Sequence, residues 1–197
     1  MPATSDVVRI AVWDRFVRLF HWSLVACVLI NALVLDDGET LHRWLGYTAS
    51  ILVLARIAWG FMGSKHARFA DFFPTPARLK RHVGDLLMGR HEFQPGHNPV
   101  GALMIILLCS LVLGLGLTGI LQTSDLFWGE EWLQDLHETL ANTLITCATL
   151  HALAAIVMGR IERTSLIKAM LTGIKEHRPR KPQDVATTRK PGRYTAQ

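Results

Sequence analysis

The sequence predicts an all-α integral membrane protein, a four-transmembrane-helix bundle, and three observations predict it. Half of its 197 residues are hydrophobic and only 19% are charged, a balance soluble enzymes do not keep. The apolar residues gather in four runs, each close to the roughly 20 residues a helix needs to cross a bilayer. Charged connectors separate the runs, which excludes disordered, collagen-like and coiled-coil classes.

In chain order, the first span is expected at about 16–35. It is long for the apolar region of a signal peptide and no small-residue cleavage site follows before Asp36, so it reads as a retained span. A second is expected at about 44–62, a third at about 99–121 behind the helix-opening pair Asn98-Pro99, and a fourth at about 138–159. Between the second and third, Thr75-Pro76 is a cap and first-turn pair. The stretch 76–89 that follows sets Leu79, Val83, Leu86 and Leu87 on one face of an interfacial helix. Ser165 caps another over 165–175, presenting Leu166, Met170, Leu171 and Ile174, with Arg163, Lys168 and Lys175 available to anionic headgroups. Residues 1–176 thus form one domain with membrane lipid as its first partner. Residues 177–197, rich in Pro, Lys, Arg and Thr without periodicity, read as a disordered basic tail. Cys27, Cys109 and Cys147 fall inside spans with no CxxC or CxxCH pattern and read as packing residues.

A net charge of +5 could suggest nucleic acid, but the placement of the bases excludes it. Arg9, Arg15 and Arg18 precede or open the first span; Lys65, Arg68, Arg78, Lys80, Arg81 and Arg90 fill the second connector; ten more, from Arg160 to Arg193, follow the fourth span. The remaining two connectors hold Arg43 against Asp36, Asp37, Glu39, Asp125, Glu130, Glu131 and Asp135. The positive-inside rule therefore predicts a multi-pass protein of the bacterial inner membrane with both termini cytoplasmic. Trp13 and Trp59 then fall near the inner boundary, and Trp44, Trp128 and Trp132 near the outer one.

Ionisable residues inside a span are costly and need a reason to be there. Of nine histidines, His21, His42, His137 and His151 lie in or at the edge of spans. His137 and His151 are 14 residues apart in the sequence, which is about 21 Å of helical rise and within ~40° of whole turns. They share a face at two depths, so they cannot share one metal ion. His21 matches the depth of His151 and His42 that of His137, giving two pairs stacked across the membrane. Two neutral imidazoles facing one another in an apolar bundle suit the axial positions of a haem iron, whereas a tetrahedral zinc site would want more donors. A histidine that only hydrogen-bonds a neighbour is the competing account of any one of them; four at two matched depths argue against it.

Arg56 lies in the second span, 14 residues after His42, on nearly the same face and at the depth of the inner pair. It needs an anion, and a haem propionate would serve; snorkelling to the inner headgroups is the alternative. Gly46 and Gly60 each follow one turn after His42 and Arg56, as notches for porphyrin faces or simply as close-packing glycines, like Gly114, Gly116 and Gly119 in the third span. That span carries no histidine and reads as a packing wall. His97, beside Asn98-Pro99, reads as a boundary residue.

These residues carry a resemblance. Val12-Trp13-Asp14-Arg15-Phe16-Val17-Arg18-Leu19-Phe20-His21-Trp22, His42-Arg43-Trp44-Leu45-Gly46-Tyr47, Arg56-Ile57-Ala58-Trp59-Gly60, Gly96-His97-Asn98-Pro99-Val100-Gly101, His137-Glu138 and His151-Ala152 occur in this order. Together they resemble bacterial dihaem b-type cytochromes: the nickel-iron hydrogenase cytochrome b subunits and their relatives in the prokaryotic cytochrome b561 family. The resemblance runs from about residue 9 to 176. It implies two non-covalent, bis-histidine b haems stacked across the bilayer, with His21, His42, His137 and His151 as axial ligands on the first, second and fourth spans. It further implies electron transfer between the membrane quinone pool and a redox partner, a periplasmic cytochrome c or a dehydrogenase or hydrogenase subunit. The short outer connectors and basic tail depart from the longer hydrogenase subunits. The alternative is a stand-alone oxidoreductase whose outer haem meets a small oxidant or reductant such as superoxide, which acidic outer connectors would repel. A non-redox helical scaffold or transporter is a third reading, removed by an optical spectrum. Monomer and homodimer are both compatible with the sequence.

Overall fold

The computed structural model describes residues 7–35, 38–88, 96, 98–162 and 164–177. The expected tail beyond residue 177, Asp36, Asp37, Arg90, His97 and Arg163 lie outside the described residues. Among the described residues four helices are long and apolar enough to cross a membrane: α1 (Arg15–Leu33), α2 (Thr40–Met62), α5 (Pro99–Gln122) and α6 (Glu131–Ile161). Three short helices lie among them in the chain: α3 (Phe69–Phe72), α4 (Pro76–Leu87) and α7 (Leu166–Thr172).

The helix ends are written in the sequence. Asp14 caps α1 by accepting from the Val17 amide at 2.8 Å, and Asn98 caps α5 by accepting from the Gly101 amide at 2.7 Å with Pro99 in the first turn. Ser165 caps α7 in the same way through the Lys168 amide. α6 begins seven residues ahead of the expected span start at 138, at Glu131. Its first two turns carry Glu131 and Asp135, which an apolar-run criterion leaves out although acidic residues suit a helix N-terminus.

α1 packs on α2, α2 on α5 and α5 on α6, whereas the α1–α2 pair and α6 approach only sparsely among the described residues. The central packing layer joins Cys27 of α1, Ala49 and Val53 of α2, Leu111 and Val112 of α5, and Leu144 of α6. Helices in lipid gain little from apolar burial and associate through close packing of small residues. Gly116 and Ser50 provide such a contact: a Cβ at Gly116 would strike the Ser50 hydroxyl. The outward faces remain apolar, with Leu19, Ile51, Leu117 and Leu150 all exposed, the reverse of a soluble bundle.

Both ends of the described chain meet at one end of the bundle, here the basal end. β1 (Val8–Ala11) and β2 (Ile174–His177) pair antiparallel, from Val8 opposite His177 to Ala11 opposite Ile174. The helix expected over 165–175 therefore stops early. Gly173 adopts φ +84°, a left-handed conformation that favours glycine, and a Cβ there would meet the Trp13 carbonyl at 2.7 Å. Its own carbonyl accepts from the Val12 and Trp13 amides, and Arg18 donates to the Leu171 carbonyl at 2.7 Å. A buried ion pair, Lys175 with Glu162 at 3.2 Å, closes this cap. On α4, Val83 and Leu87 face away from the protein, 41% and 84% exposed, as an apolar face directed at lipid would be.

Candidate functional site

The far end of the bundle, opposite the paired strands, holds the sharpest geometry. His42, in the first turn of α2, and His137, in the second turn of α6, face each other with ring centroids 6.4 Å apart and planes inclined by 53°. Two metal–nitrogen bonds of about 2 Å each, plus the two ring radii, would place the centroids of a bis-imidazole pair roughly 6 Å apart. The rings are tilted and not stacked, and their 6.4 Å centroid spacing is close to that value.

Each ring has a defined surrounding. The Thr118 hydroxyl on α5 lies 2.7 Å from His137 Nδ1, and a Cβ at Gly119 would make an ordinary 3.6 Å contact with His137 Cε1. Nδ1 of His42 is buried with no hydrogen-bond partner. Asn31 of α1 donates to the His42 carbonyl at 3.2 Å while its own side-chain oxygen is buried and unpartnered. Gly46, one turn past His42, leaves a shallow notch in which a Cβ would just touch the Asn31 amide nitrogen at 4.0 Å. Sequence reasoning missed Thr118 and Asn31. A threonine in a span normally satisfies itself on its own helix and gives no signal.

The basal tier is looser. His21 of α1 and His151 of α6 are both half-buried and within electrostatic reach of one another. Between the tiers lies the apolar layer of Val53, Leu111 and Leu144, the last of these seven residues from both His137 and His151. Arg56 is 3% exposed and does not reach outward to any surface. Its Nη2 donates to the Ala67 carbonyl at 3.1 Å, its guanidinium lies 5.7 Å from the centre of the Phe69 ring, and its Nη1 is buried without a partner. Snorkelling is therefore replaced by a buried cation with a donor to spare. At Gly60 the expectation of an open porphyrin notch changes too. Phe69 fills the place of its missing side chain, so the glycine serves a protein ring.

Asp14 organises the chain beside this tier. Its carboxylate accepts from Trp59 Nε1 at 3.0 Å and from the Ser64 hydroxyl at 2.6 Å, in addition to the cap of α1. Burial pushes its pKa up, but the bonds from Ser64, Val17 and Trp59 outweigh that and hold it below the ordinary 3.8.

Among the described residues no three His, Cys, Asp or Glu side chains converge on a point that could hold a metal ion. The far-end site offers two donors, His42 and His137, which would suit an iron already held by four porphyrin nitrogens better than a bare ion. The buried Nη1 of Arg56 fits the anionic edge of such a group at the basal tier, and the missing side chain at Gly46 fits the flat face of another beside His42.

Fold and site together define a four-helix bundle of membrane-length helices with one close histidine pair at the far end and two half-buried histidines, His21 and His151, toward the basal end. The family model of prokaryotic cytochrome b561 matches residues 12–173, and the chain belongs to that family. Membership implies b-type haem binding and transmembrane electron transfer. Neither the comparison with curated proteins nor that with solved structures returned a match.

Proposed function

We propose that the protein carries electrons across the bacterial inner membrane through two bis-histidine b haems, between the quinone pool and a redox partner on the periplasmic side. The observation that carries the reading is the 6.4 Å separation of the His42 and His137 rings, each on a different helix. His42 and His137 hold the iron at the far end, and His21 and His151 hold the second at the basal end. When bound, each haem supplies a one-electron ferric/ferrous couple. The chain's own residues do the rest. Gly46 admits the ring face beside His42, Arg56 offers its spare Nη1 to a propionate of the basal haem, and the Val53–Leu144 layer keeps water from between the tiers. The bases around both described termini and in the 63–98 connector support a cytoplasmic basal end and a periplasmic far end.

A reduced-minus-oxidised spectrum with a haem count tests this directly. Two low-spin b haems per chain are expected. His42→Ala or His137→Ala should each remove one of them, and His21→Ala or His151→Ala the other. Any single variant that keeps two low-spin haems overturns that ligand. A chain purified without haem from haem-replete cells overturns the whole reading.

A further inference from the structure

We propose that Thr118, on the one membrane-length helix without a histidine, is a positioning residue that fixes the tautomer and raises the basicity of His137 as a haem ligand. The inference rests on the ligand assignment above and adds a residue that assignment does not require.

The hydrogen-bond arithmetic carries it. Thr118 Oγ1 lies 2.9 Å from the Gly114 carbonyl and 3.2 Å from that of Leu115, so its single proton has an acceptor on its own helix. With the proton on its own helix the oxygen, 2.7 Å from His137 Nδ1, accepts there, and this is the arrangement the ligand assignment selects, because a ring that gives Nε2 to iron carries its proton on Nδ1. Nε2 is left with its lone pair, which is the nitrogen a metal takes. Thr118 is 5% exposed, so no solvent competes for the bond.

Other threonines of the bundle supply the contrast. Thr143, Thr146 and Thr149 on α6 each bond a carbonyl one turn back at 2.7 to 2.8 Å, with exposed side chains and no further partner shown for their hydroxyls. Thr118 does the same and additionally meets a ring nitrogen of another helix. The relay from His137 N–H through the Thr118 hydroxyl to the Gly114 carbonyl polarises in one direction, and each bond strengthens the next. Electron density moves toward the imidazole, which favours the ferric over the ferrous iron. His42 has no such partner at its Nδ1, so the two ligands of one iron are unequal.

Thr118→Val keeps the shape and deletes the hydroxyl; Thr118→Ser keeps the hydroxyl and deletes the methyl. Both, with Thr143→Val as control, should be compared as haem-loaded protein in detergent by haem count, redox titration and low-temperature electron paramagnetic resonance. The expected result is two haems in every variant. In Thr118→Val alone, one midpoint potential should rise and the g-values of that low-spin haem should change, while Thr118→Ser stays near wild type. If Thr118→Val instead loses one haem and Thr118→Ser retains it, the orienting role is also supported. Wild-type potentials and g-values in a two-haem Thr118→Val overturn the inference and leave the ligand assignment standing. So does a haem loss shared by Thr118→Ser, because then the methyl matters and not the hydroxyl. A parallel His137→Ala that keeps both low-spin haems overturns the ligand assignment and this inference with it.

Discussion

At the scale of single residues, two charges near the basal end, a half-buried Asp14 and a buried Arg56, are treated in opposite ways. Asp14 is satisfied several times over, by the Val17 amide, the Trp59 indole and the Ser64 hydroxyl. Arg56, 3% exposed, keeps one nitrogen without any partner. A buried donor left unmade costs about 1–3 kcal/mol, more for a charged group. A protein that can place three donors on one carboxylate has a use for the donor it leaves over, and the proposed propionate is that use. Asp14 makes a separate prediction about pH. A carboxylate whose folded pKa lies below the ordinary 3.8 contributes stability above the unfolded value, and that contribution is lost as pH falls through the depressed folded value. Asp14→Asn keeps a capping side chain but removes the charge. Thermal unfolding in detergent between neutral pH and pH ~3 should show the variant less stable than wild type at neutral pH, with the gap closing as wild-type Asp14 protonates. A gap that stays constant down the acid limb would mean the charge contributes nothing.

At the scale of elements, the contact of α2 with α5 is set by Gly116 and Ser50. The Ser50 hydroxyl bonds the Gly46 carbonyl at 3.0 Å, so its position is tied to the notch beside His42. Gly116→Ala places a methyl where that hydroxyl sits and should cost about 1–3 kcal/mol, the range of overpacking in a close-packed interior. Adding Ser50→Ala should return part of the loss; a double variant no better than the single would place the strain elsewhere. How much of this was legible follows from what each feature rests on. Long apolar runs depend on local composition, so four membrane-length helices could be read from the sequence. The 14-residue interval between His137 and His151 depends on helical geometry alone, so two histidine levels on one face could be read as well. The pairing of β1 with β2 joins segments at opposite ends of the chain, each of only four residues, and no local pattern announces it. Gly173, which ends α7, looks like any glycine until the Trp13 carbonyl is seen against it. Thr118 was hidden for the same reason, since its significance lies in a residue nineteen positions away on another helix.

At the scale of the molecule, the two ends of the bundle carry opposite charge, and this bears on what meets the far-end histidine pair. Asp125, Glu131 and Asp135 are exposed around the α5–α6 connection and the first turns of α6, close in sequence to His137. Glu39, at the start of α2, is exposed three residues before His42. A negative field at the mouth of a site raises the encounter rate of a positively charged reactant and lowers that of an anion. Ions screen it over about 30 Å at 0.01 M salt but only about 3 Å at 1 M. The triple variant Asp125→Asn, Glu131→Gln, Asp135→Asn should therefore react several-fold more slowly than wild type with a basic soluble cytochrome c at low salt, and at nearly the same rate at high salt. With ferricyanide, a small anion, the same variant should react faster than wild type at low salt. These opposite signs, followed by stopped-flow absorbance of the haem, separate a protein partner from a small anionic reactant such as superoxide, whose access the wild-type charges would hinder. Equal rates and equal salt dependence for wild type and variant with both reagents would show that neither is steered by these carboxylates. The acidic end would then record only which side of the membrane it occupies.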